Sequence, residues 1–150
     1  MIKDEYEINT KTCALVAKKA NETLIIEGEQ QSISLKTPKE HLDHSCEYYG
    51  SSLEGRLSGS KSLLGMCYKL PVIVEESKEI IFFPTSSYNN EDCSWIALNN
   101  IGSYEDDGHN TIVHFNNGQT CAFDISLESF ENQVLRASKL LLILRNRKNA

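Results

Sequence analysis

The chain has no hydrophobic run that is long enough to cross a membrane. Its longest aliphatic run near the end, Leu140–Leu144, has five residues, whereas a membrane-spanning helix needs about 20. The first residues, M-I-K-D-E-Y-E, carry acidic side chains where a secretory signal would have an apolar segment. We therefore expect a cytoplasmic protein.

Paired cysteines are also missing. The five cysteines are far apart, odd in number and free of any C-x-x-C spacing: Cys13, Cys46, Cys67, Cys93 and Cys121. Disulfide frameworks and zinc sites usually show paired spacing, and disulfides are rare in a reducing cytosol. We expect free thiols, some of them packed as small apolar side chains.

The motifs of the common enzyme classes do not occur either. The chain contains no G-x-S-x-G, no H-E-x-x-H and no dinucleotide-binding fingerprint. Gly50-x4-Gly55 is only part of a phosphate-binding loop, because Arg56 and Leu57 stand where that loop needs Lys and then Ser or Thr. We therefore expect no enzyme activity and no cofactor.

His41, His44 and Cys46 lie close together in the sequence. A zinc site would need a second ligand pair at motif spacing, which the chain lacks. On a helix, His41 and His44 share a face while Cys46 points elsewhere, which favours packed or solvent-facing side chains over metal ligands. We expect no metal; a Cys46 nucleophile assisted by His44 is the main enzyme alternative.

A large excess of basic residues is missing as well. The net charge is −6, whereas a general nucleic-acid-binding protein is usually basic. Residues 127–150 nevertheless carry five basic and two acidic residues, a net charge of +3, which leaves −9 for the rest of the chain. A local basic surface on an acidic body can still bind phosphates, although its long-range attraction is weak.

Alternating hydrophobic positions predict short antiparallel strands along much of the chain. The predicted strands are Thr12–Val16, Glu22–Ile26, Pro71–Val74, Glu79–Phe83, Ser94–Leu98 and the two arms of a hairpin within Thr111–Ile125. Asn117-Gly118 is the expected turn of that hairpin, because both residues tolerate a positive φ.

Two stretches have helical spacing. Pro38 follows Thr37, a suitable N-cap, and Glu40 completes a capping box. A longer helix begins after the cap residue Ser126. Its apolar residues recur at helical spacing: Leu127, Phe130, Val134, Ala137, Leu141 and Leu144. The predicted fold is α+β: an antiparallel β-meander with a C-terminal amphipathic helix and a shorter helical segment near residues 38–60, in one domain over residues 1–150.

Residues 50–65 contain four glycines and five serines, which predicts a loop and a short helix with close backbone approaches. This segment offers hydroxyl and cationic groups that suit a DNA backbone: Ser51, Ser52, Arg56 and Lys61. Arg136 and Lys139 on the last helix are a second candidate pair, and a solvated helix face is the alternative reading of them.

Five separated stretches carry a family resemblance. They are S-C-E-Y-Y-G-S-S-L-E-G-R-L-S-G from Ser45 to Gly59, F-F-P-T from Phe82 to Thr85, C-S-W-I from Cys93 to Ile96, F-N-N-G from Phe115 to Gly118, and I-S-L-E-S-F-E-N-Q-V-L-R from Ile125 to Arg136. In this order and spacing they resemble the ComK family of competence transcription factors, between about residue 45 and about residue 138.

The resemblance implies a DNA-binding activator of genes for DNA uptake. Family members bind as dimers, and as dimers of dimers, to paired A/T-rich boxes in double-stranded DNA, through the minor groove. That groove distinguishes mainly A·T from G·C pairs and is read through its width, so Arg and Lys side chains are the expected contacts. Small neighbours of Arg56 and Lys61 would allow a close approach.

The resemblance also implies an unusual C-terminus. Family members usually continue several tens of residues further, with a segment that the adaptor of a ClpC-type protease engages. Here the chain ends at Asn149-Ala150 without such a segment. We expect a short or C-terminally truncated member in which adaptor-controlled proteolysis is doubtful; the alternative function is a protein-interaction module that does not activate transcription.

Overall fold

The computed structural model describes residues 5–149, in which three α-helices and nine strands follow one another in an α+β order. The elements are β1 Thr12–Lys18, β2 Glu22–Glu27, β3 Gln30–Ser34, α1 Pro38–Tyr48, α2 Leu53–Leu64, β4 Val72–Glu75, β5 Ile80–Pro84, β6 Trp95–Ala97, β7 Ile101–Asp106, β8 Thr111–Phe115, β9 Thr120–Phe123 and α3 Leu127–Lys148. The predicted α+β class and the C-terminal helix are confirmed. Strands β3 and β7 are additional to the predicted ones.

The strands form two antiparallel sheets. The larger has the order β3-β2-β1-β6-β5-β4, and the smaller has the order β7-β8-β9. In the larger sheet β1 pairs with β6, so that Leu15 lies opposite Trp95. This pairing joins the two hairpin-like units β1–β3 and β4–β6, which are distant in sequence, at the centre of the sheet.

The large sheet is covered on both faces, and its central strands are therefore hydrophobic at successive positions. Phe82 of β5 packs in the cluster below α1 and α2, whereas the next residue, Phe83, packs in the cluster formed with α3 and the small sheet. Trp95 and Ile96 of β6 divide in the same way. All four are fully buried, and each contributes roughly 1.5–3 kcal/mol through the hydrophobic effect.

The hairpin of β8 and β9 was predicted correctly, but its turn differs from the expected one. Alternation along the two arms predicts that five residues face the core: Val113, Phe115, Cys121, Phe123 and Ile125. All of them are buried except Cys121, which is only partly buried. Gly118 has a positive φ of 93°, whereas Asn117 does not. The Asn117 side chain instead donates a hydrogen bond to the Gly28 carbonyl, which ties the turn to the β2–β3 connection.

Helix α1 begins with the predicted capping box. Thr37 Oγ1 accepts a hydrogen bond from the Glu40 N–H, and Glu40 Oε1 accepts one from the Thr37 N–H, each at 3.1 Å. Such reciprocal bonds satisfy two N–H groups that the first turn leaves unpaired. The helix buries Leu42 and Cys46 against the large sheet.

Helix α2 replaces the expected loop and short helix with three turns of regular helix. Ser52 caps it, and Gly65 ends it in the left-handed conformation, with φ 68°. Its inward residues Leu53 and Ser60 are buried. The tertiary contacts of this face outweigh the low helix propensity of the glycines within the helix.

Helix α3 is capped by Ser126, as predicted, and covers the outer cluster with Phe130, Ala137 and Leu144. Leu140 is also fully buried, so the buried stripe is rotated slightly from the one expected from sequence. Among residues 5–149, no helix has both the length and the apolar character needed to span a membrane.

Candidate nucleic-acid interface

The start of α2, where Ser51 and Ser52 lie, is already occupied by groups of the protein itself. Ser52 Oγ accepts a hydrogen bond of 2.9 Å from the Gly55 N–H. Asp43 Oδ1 accepts one of 2.9 Å from the Leu53 N–H. A helix N-terminus attracts phosphate through such free N–H groups. A phosphate at this end would therefore have to displace a carboxylate.

The surface around this end of α2 is acidic. A groove of about 610 Å³ runs between α1 and α2 and is lined by Lys39, Glu40, Asp43, Glu47, Ser52, Leu53, Glu54, Leu57 and Tyr88. Its one lysine, Lys39, lies over the Tyr88 ring, with Nζ 5.9 Å from the ring centre. Four carboxylates on one groove make a negative potential that repels a nucleic-acid backbone.

Arg56 is turned away from solvent. Its guanidinium Nη1 lies 2.9 Å from Glu76 Oε1 in the β4–β5 turn, and only 19% of the side chain is exposed. Its Nε is buried and has no hydrogen-bond partner within residues 5–149. Because Glu76 neutralises the charge, Arg56 would have to break this ion pair to contact DNA.

Lys61 points in a different direction from Arg56. The two residues are five positions apart, which is about 140° around a helix axis. Lys61 is exposed, and in the described part of the chain no carboxylate pairs with it. It lies in the last turn of α2, where Leu63 and Leu64 pack against the cluster that α3 covers.

A buried glutamine fixes the segment that follows α2. Gln133 of α3 is 2% exposed. Its Nε2 donates to the carbonyls of Lys69 and Pro84, at 3.0 and 2.8 Å. Its Oε1 accepts from Arg136 Nη1 at 2.9 Å, and the same Nη1 lies 3.5 Å from the Tyr68 carbonyl. One side chain thus connects β5, residues 65–70 and a surface arginine.

Residues 65–70 meet the middle of α3 through the contacts of Gln133 and Arg136, and the end of α2 belongs to a helix that packs against α3. We name the cations of these three elements, together with Tyr68, the α2–α3 basic surface. Its residues are Lys61, Tyr68, Lys69, Arg136 and Lys139. Tyr68 is 81% exposed, and Lys69 has a positive φ of 49°. Arg136 and Lys139 are three positions apart and so share one side of α3. None of the four cations pairs with a carboxylate within residues 5–149.

The model of the ComK protein family matches residues 3–149 of this chain. The chain belongs to the ComK family. It is 33% identical over 141 residues to a competence transcription factor of Bacillus subtilis (strain 168), a match that covers 91% of this chain and 73% of that relative. No solved structure matches the chain. The protein is thus a transcription regulator of the ComK type, a class of transcription factors and not of enzymes.

The six candidate residues separate into two groups in this ComK-family fold. Ser51, Ser52 and Arg56 lie at the acidic end of α2, whereas Lys61, Arg136 and Lys139 lie on the α2–α3 basic surface. In the second group Lys61 and Lys139 are exposed and Arg136 is half-buried, and none of the three pairs with a carboxylate in the described residues. Arg136 and Lys139 share α3, and Lys61 lies on a helix that packs against α3, a neighbourhood that spacing alone does not reveal.

Two residues of the α2–α3 basic surface, Tyr68 and Lys69, were not identified from sequence. The buried Gln133, which contacts this surface, was not identified either. Tyr68 and Lys69 stand in an irregular segment without periodicity. Gln133 lies in the S-F-E-N-Q stretch that carries the resemblance. A glutamine on the buried side of an amphipathic helix also indicates a side chain that binds neighbouring segments, because a buried amide needs hydrogen-bond partners.

His41 and His44 each lie within hydrogen-bond distance of another side chain of the protein. His41 Nε2 lies 2.6 Å from Ser34 Oγ, and His44 Nε2 lies 2.8 Å from Glu7 Oε2. Burial raises the pKa of the Cys46 thiol to about 12, so the thiolate that a nucleophile needs is absent at neutral pH. Within residues 5–149, no three His, Cys, Asp or Glu side chains are placed to hold a metal ion.

Proposed function

We propose that this chain binds double-stranded DNA at A/T-rich boxes, activates competence genes in the cytoplasm, and acts as a homodimer or a higher homo-oligomer. The observation that carries the proposal is the α2–α3 basic surface. Its four cations come from α2, from residues 65–70 and from α3, and none of them pairs with a carboxylate in the described residues. Family membership supports the regulatory role.

The chemistry of this surface suits a narrow minor groove. A/T-rich tracts narrow the groove and strengthen its negative potential, which attracts Arg and Lys side chains. Arg136 is held by Gln133 and by the Tyr68 carbonyl, so it loses less conformational freedom when it binds. The lysines around it reach the phosphates on either side.

Fluorescence anisotropy with an A/T-box duplex and a G·C-rich control, over a series of salt concentrations, tests the proposal. We expect tighter binding to the A/T box and a steep salt dependence, because each neutralised phosphate contributes about −0.9 to the slope of log K against log salt. Equal binding to both duplexes, or none at low salt, would contradict it.

A matched pair of variants locates the contact. Arg136→Ala with Lys139→Ala removes two cations from the proposed surface. Lys18→Ala with Lys19→Ala removes two exposed cations from the β1–β2 connection. We expect the first variant to lose at least about tenfold in affinity and to have a salt slope shallower by about 2, while the second stays within about twofold of wild type. Equal losses would mean that only the net charge matters.

A second candidate function is a protein-interaction module that does not activate transcription. The exposed leucines of α3, Leu135 and Leu142, favour it, since large exposed apolar side chains on one helix often mark a contact surface. A folded chain that ignores A/T boxes at low salt would favour this second function. Adaptor-controlled proteolysis forms no part of either proposal.

A further inference from the structure

Two leucines of α3 are exposed on the side that faces away from the core. Leu135 and Leu142 have 67% and 59% of their surface exposed. They are seven positions apart, which is two helical turns, so they lie on one side of α3. Phe130 lies five positions before Leu135, about 140° around the axis, and is fully buried. The leucines are therefore presented to solvent.

The surroundings of these leucines continue the apolar surface. Val134 and Leu141 are half-buried against the outer cluster and lie beside them. A groove of about 490 Å³ passes along this side and is lined by Tyr104, Leu127, Glu128, Glu131, Asn132, Val134 and Leu135. Ser138, a small residue, lies between Leu135 and Leu142, and small residues let two helices approach closely.

The charges of α3 are divided between its two halves. The acidic residues, Glu128 and Glu131, lie in the first two turns, whereas the basic residues come later: Arg136, Lys139, Arg145, Arg147 and Lys148. A second helix with this same distribution complements α3 only when it runs antiparallel. Acidic and basic ends then face each other, and the helix dipoles are also opposed.

We propose that a second copy of this chain packs on this side of α3, with the two α3 helices antiparallel around a two-fold axis near Ser138. Leu135 of each copy then contacts Leu142 of the other, in a self-complementary interface. The acidic first turns of one helix lie near the last turns of the other, where Arg147 has no carboxylate partner within residues 5–149 and Arg145 and Lys148 already pair with Glu79. The proposal deepens the proposed function, because it names the surface of the homodimer.

This arrangement has a consequence for DNA. The two-fold axis is perpendicular to the plane that contains both α3 helices. Rotation about it reverses the helix direction and the direction that joins the two helices, but it leaves the third direction, which runs along the two-fold axis itself, unchanged. Arg136 follows Leu135 by one position, about 100° around the axis, and so it points along that third direction. Both copies therefore present Arg136 on the same side of the dimer, with Lys139, about 40° from Leu135 around the axis, at the margin of the contact, and one duplex can contact them together.

Sedimentation velocity of the chain without DNA, over a range of concentrations, tests the interface. We expect a monomer–dimer equilibrium whose dissociation constant rises at least about tenfold when Leu135→Ser and Leu142→Ser are combined. Leu35→Ser is the matched control, because Leu35 is exposed to the same 59% as Leu142 but lies between β3 and α1. It should leave association unchanged.

A second measurement does not depend on weakening the interface. In a Cys67→Ser background, which removes the exposed native thiol, Ser138→Cys should give a disulfide-linked dimer with oxidised glutathione as the electron acceptor. Ser58→Cys, an exposed serine on α2, should not. A monomer at all concentrations, or a dimer that Ser138→Cys fails to link, would overturn the proposal.

The two proposals fail in different ways. The sedimentation and cross-linking measurements contain no DNA, so a monomer that still prefers A/T boxes overturns the α3 interface and leaves DNA binding intact. A dimer that links through Ser138→Cys but does not distinguish A/T boxes from G·C-rich DNA overturns the proposed function and leaves the interface intact.

Discussion

The two ends of α2 differ in charge although one Gly/Ser-rich segment supplies both. At the first end Asp43 binds the helix N-terminus, and the neighbouring groove is acidic. At the last end Lys61 is exposed beside residues 65–70 and α3. The residues that decide the difference come from elsewhere in the chain. Whether a segment that is predicted to bind DNA has a suitable charge therefore depends on the residues that the fold places beside it.

The β4–β5 turn contributes to this difference in charge. Its two glutamates pair with three cations: Glu76 with Arg56, and Glu79 with Arg145 and more distantly with Lys148. Such pairs on the surface contribute little to stability, but they remove those cations from competition for phosphate. What remains unpaired in the described residues includes the four cations of the α2–α3 basic surface.

The largest expected effect comes from breaking the support of the basic surface. Gln133→Met keeps the length of the side chain but removes both donated hydrogen bonds, which leaves the Lys69 and Pro84 carbonyls without these partners. We expect a loss of about 2–4 kcal/mol in the free energy of unfolding and a several-fold weaker A/T-box affinity. Urea denaturation and anisotropy measure the two effects.

The control for that change is Asn132→Ala, at the neighbouring exposed position of the same helix. It should alter the free energy of unfolding by less than about 0.5 kcal/mol. If Gln133→Met were as mild as Asn132→Ala, the buried amide would not be what holds residues 65–70 to α3.

A smaller effect separates the two ends of α2 directly. Arg56→Met should lower the free energy of unfolding by about 0.5–1 kcal/mol, since it removes an ion pair whose carboxylate partner is exposed to solvent, and should leave A/T-box affinity unchanged. Lys61→Met should do the reverse: no loss of stability, and an affinity about threefold to tenfold weaker. Exchanged results would place the DNA contact at the acidic end.

The smallest effect concerns pH. The hydrogen bond and charge of Arg145 lower the pKa of Glu79 below its usual value. A carboxyl whose folded-state pKa is depressed stabilises the fold above its unfolded pKa, and this stabilisation is lost as pH falls through the folded one. Glu79→Gln should therefore flatten the stability profile below about pH 5. Urea denaturation midpoints measured between pH 3 and pH 7 check this. If the midpoint of Glu79→Gln fell with decreasing pH as steeply as that of wild type, the prediction would be wrong.

Much of the fold follows from local signals. The Thr37–Glu40 capping box, the Ser126 cap and the alternation around Val113 and Phe115 each act within a few residues, and each was predicted correctly. The pairing of Leu15 with Trp95 and the length of α2 depend on contacts between distant segments. Propensity does not contain that information.

The candidate site divides in the same way. Arg136 and Lys139 were identifiable because their spacing on an amphipathic helix is local. The ion pair of Arg56 with Glu76 joins α2 to a turn 20 positions away, so the sequence could not show that this arginine is neutralised. The Lys69 carbonyl accepts a hydrogen bond from Gln133 and the Tyr68 carbonyl lies beside Arg136, and both contacts join segments that are distant in sequence.

Lysine footprinting tests the location of the DNA contact most directly. The chain is acetylated with and without an A/T-box duplex, and the modification of each lysine is quantified by mass spectrometry. We expect the duplex to protect Lys61, Lys69 and Lys139 and to leave Lys39, at the acidic end of α2, as reactive as in the free protein. Protection of Lys39 with Lys61 and Lys139 still reactive would contradict the account.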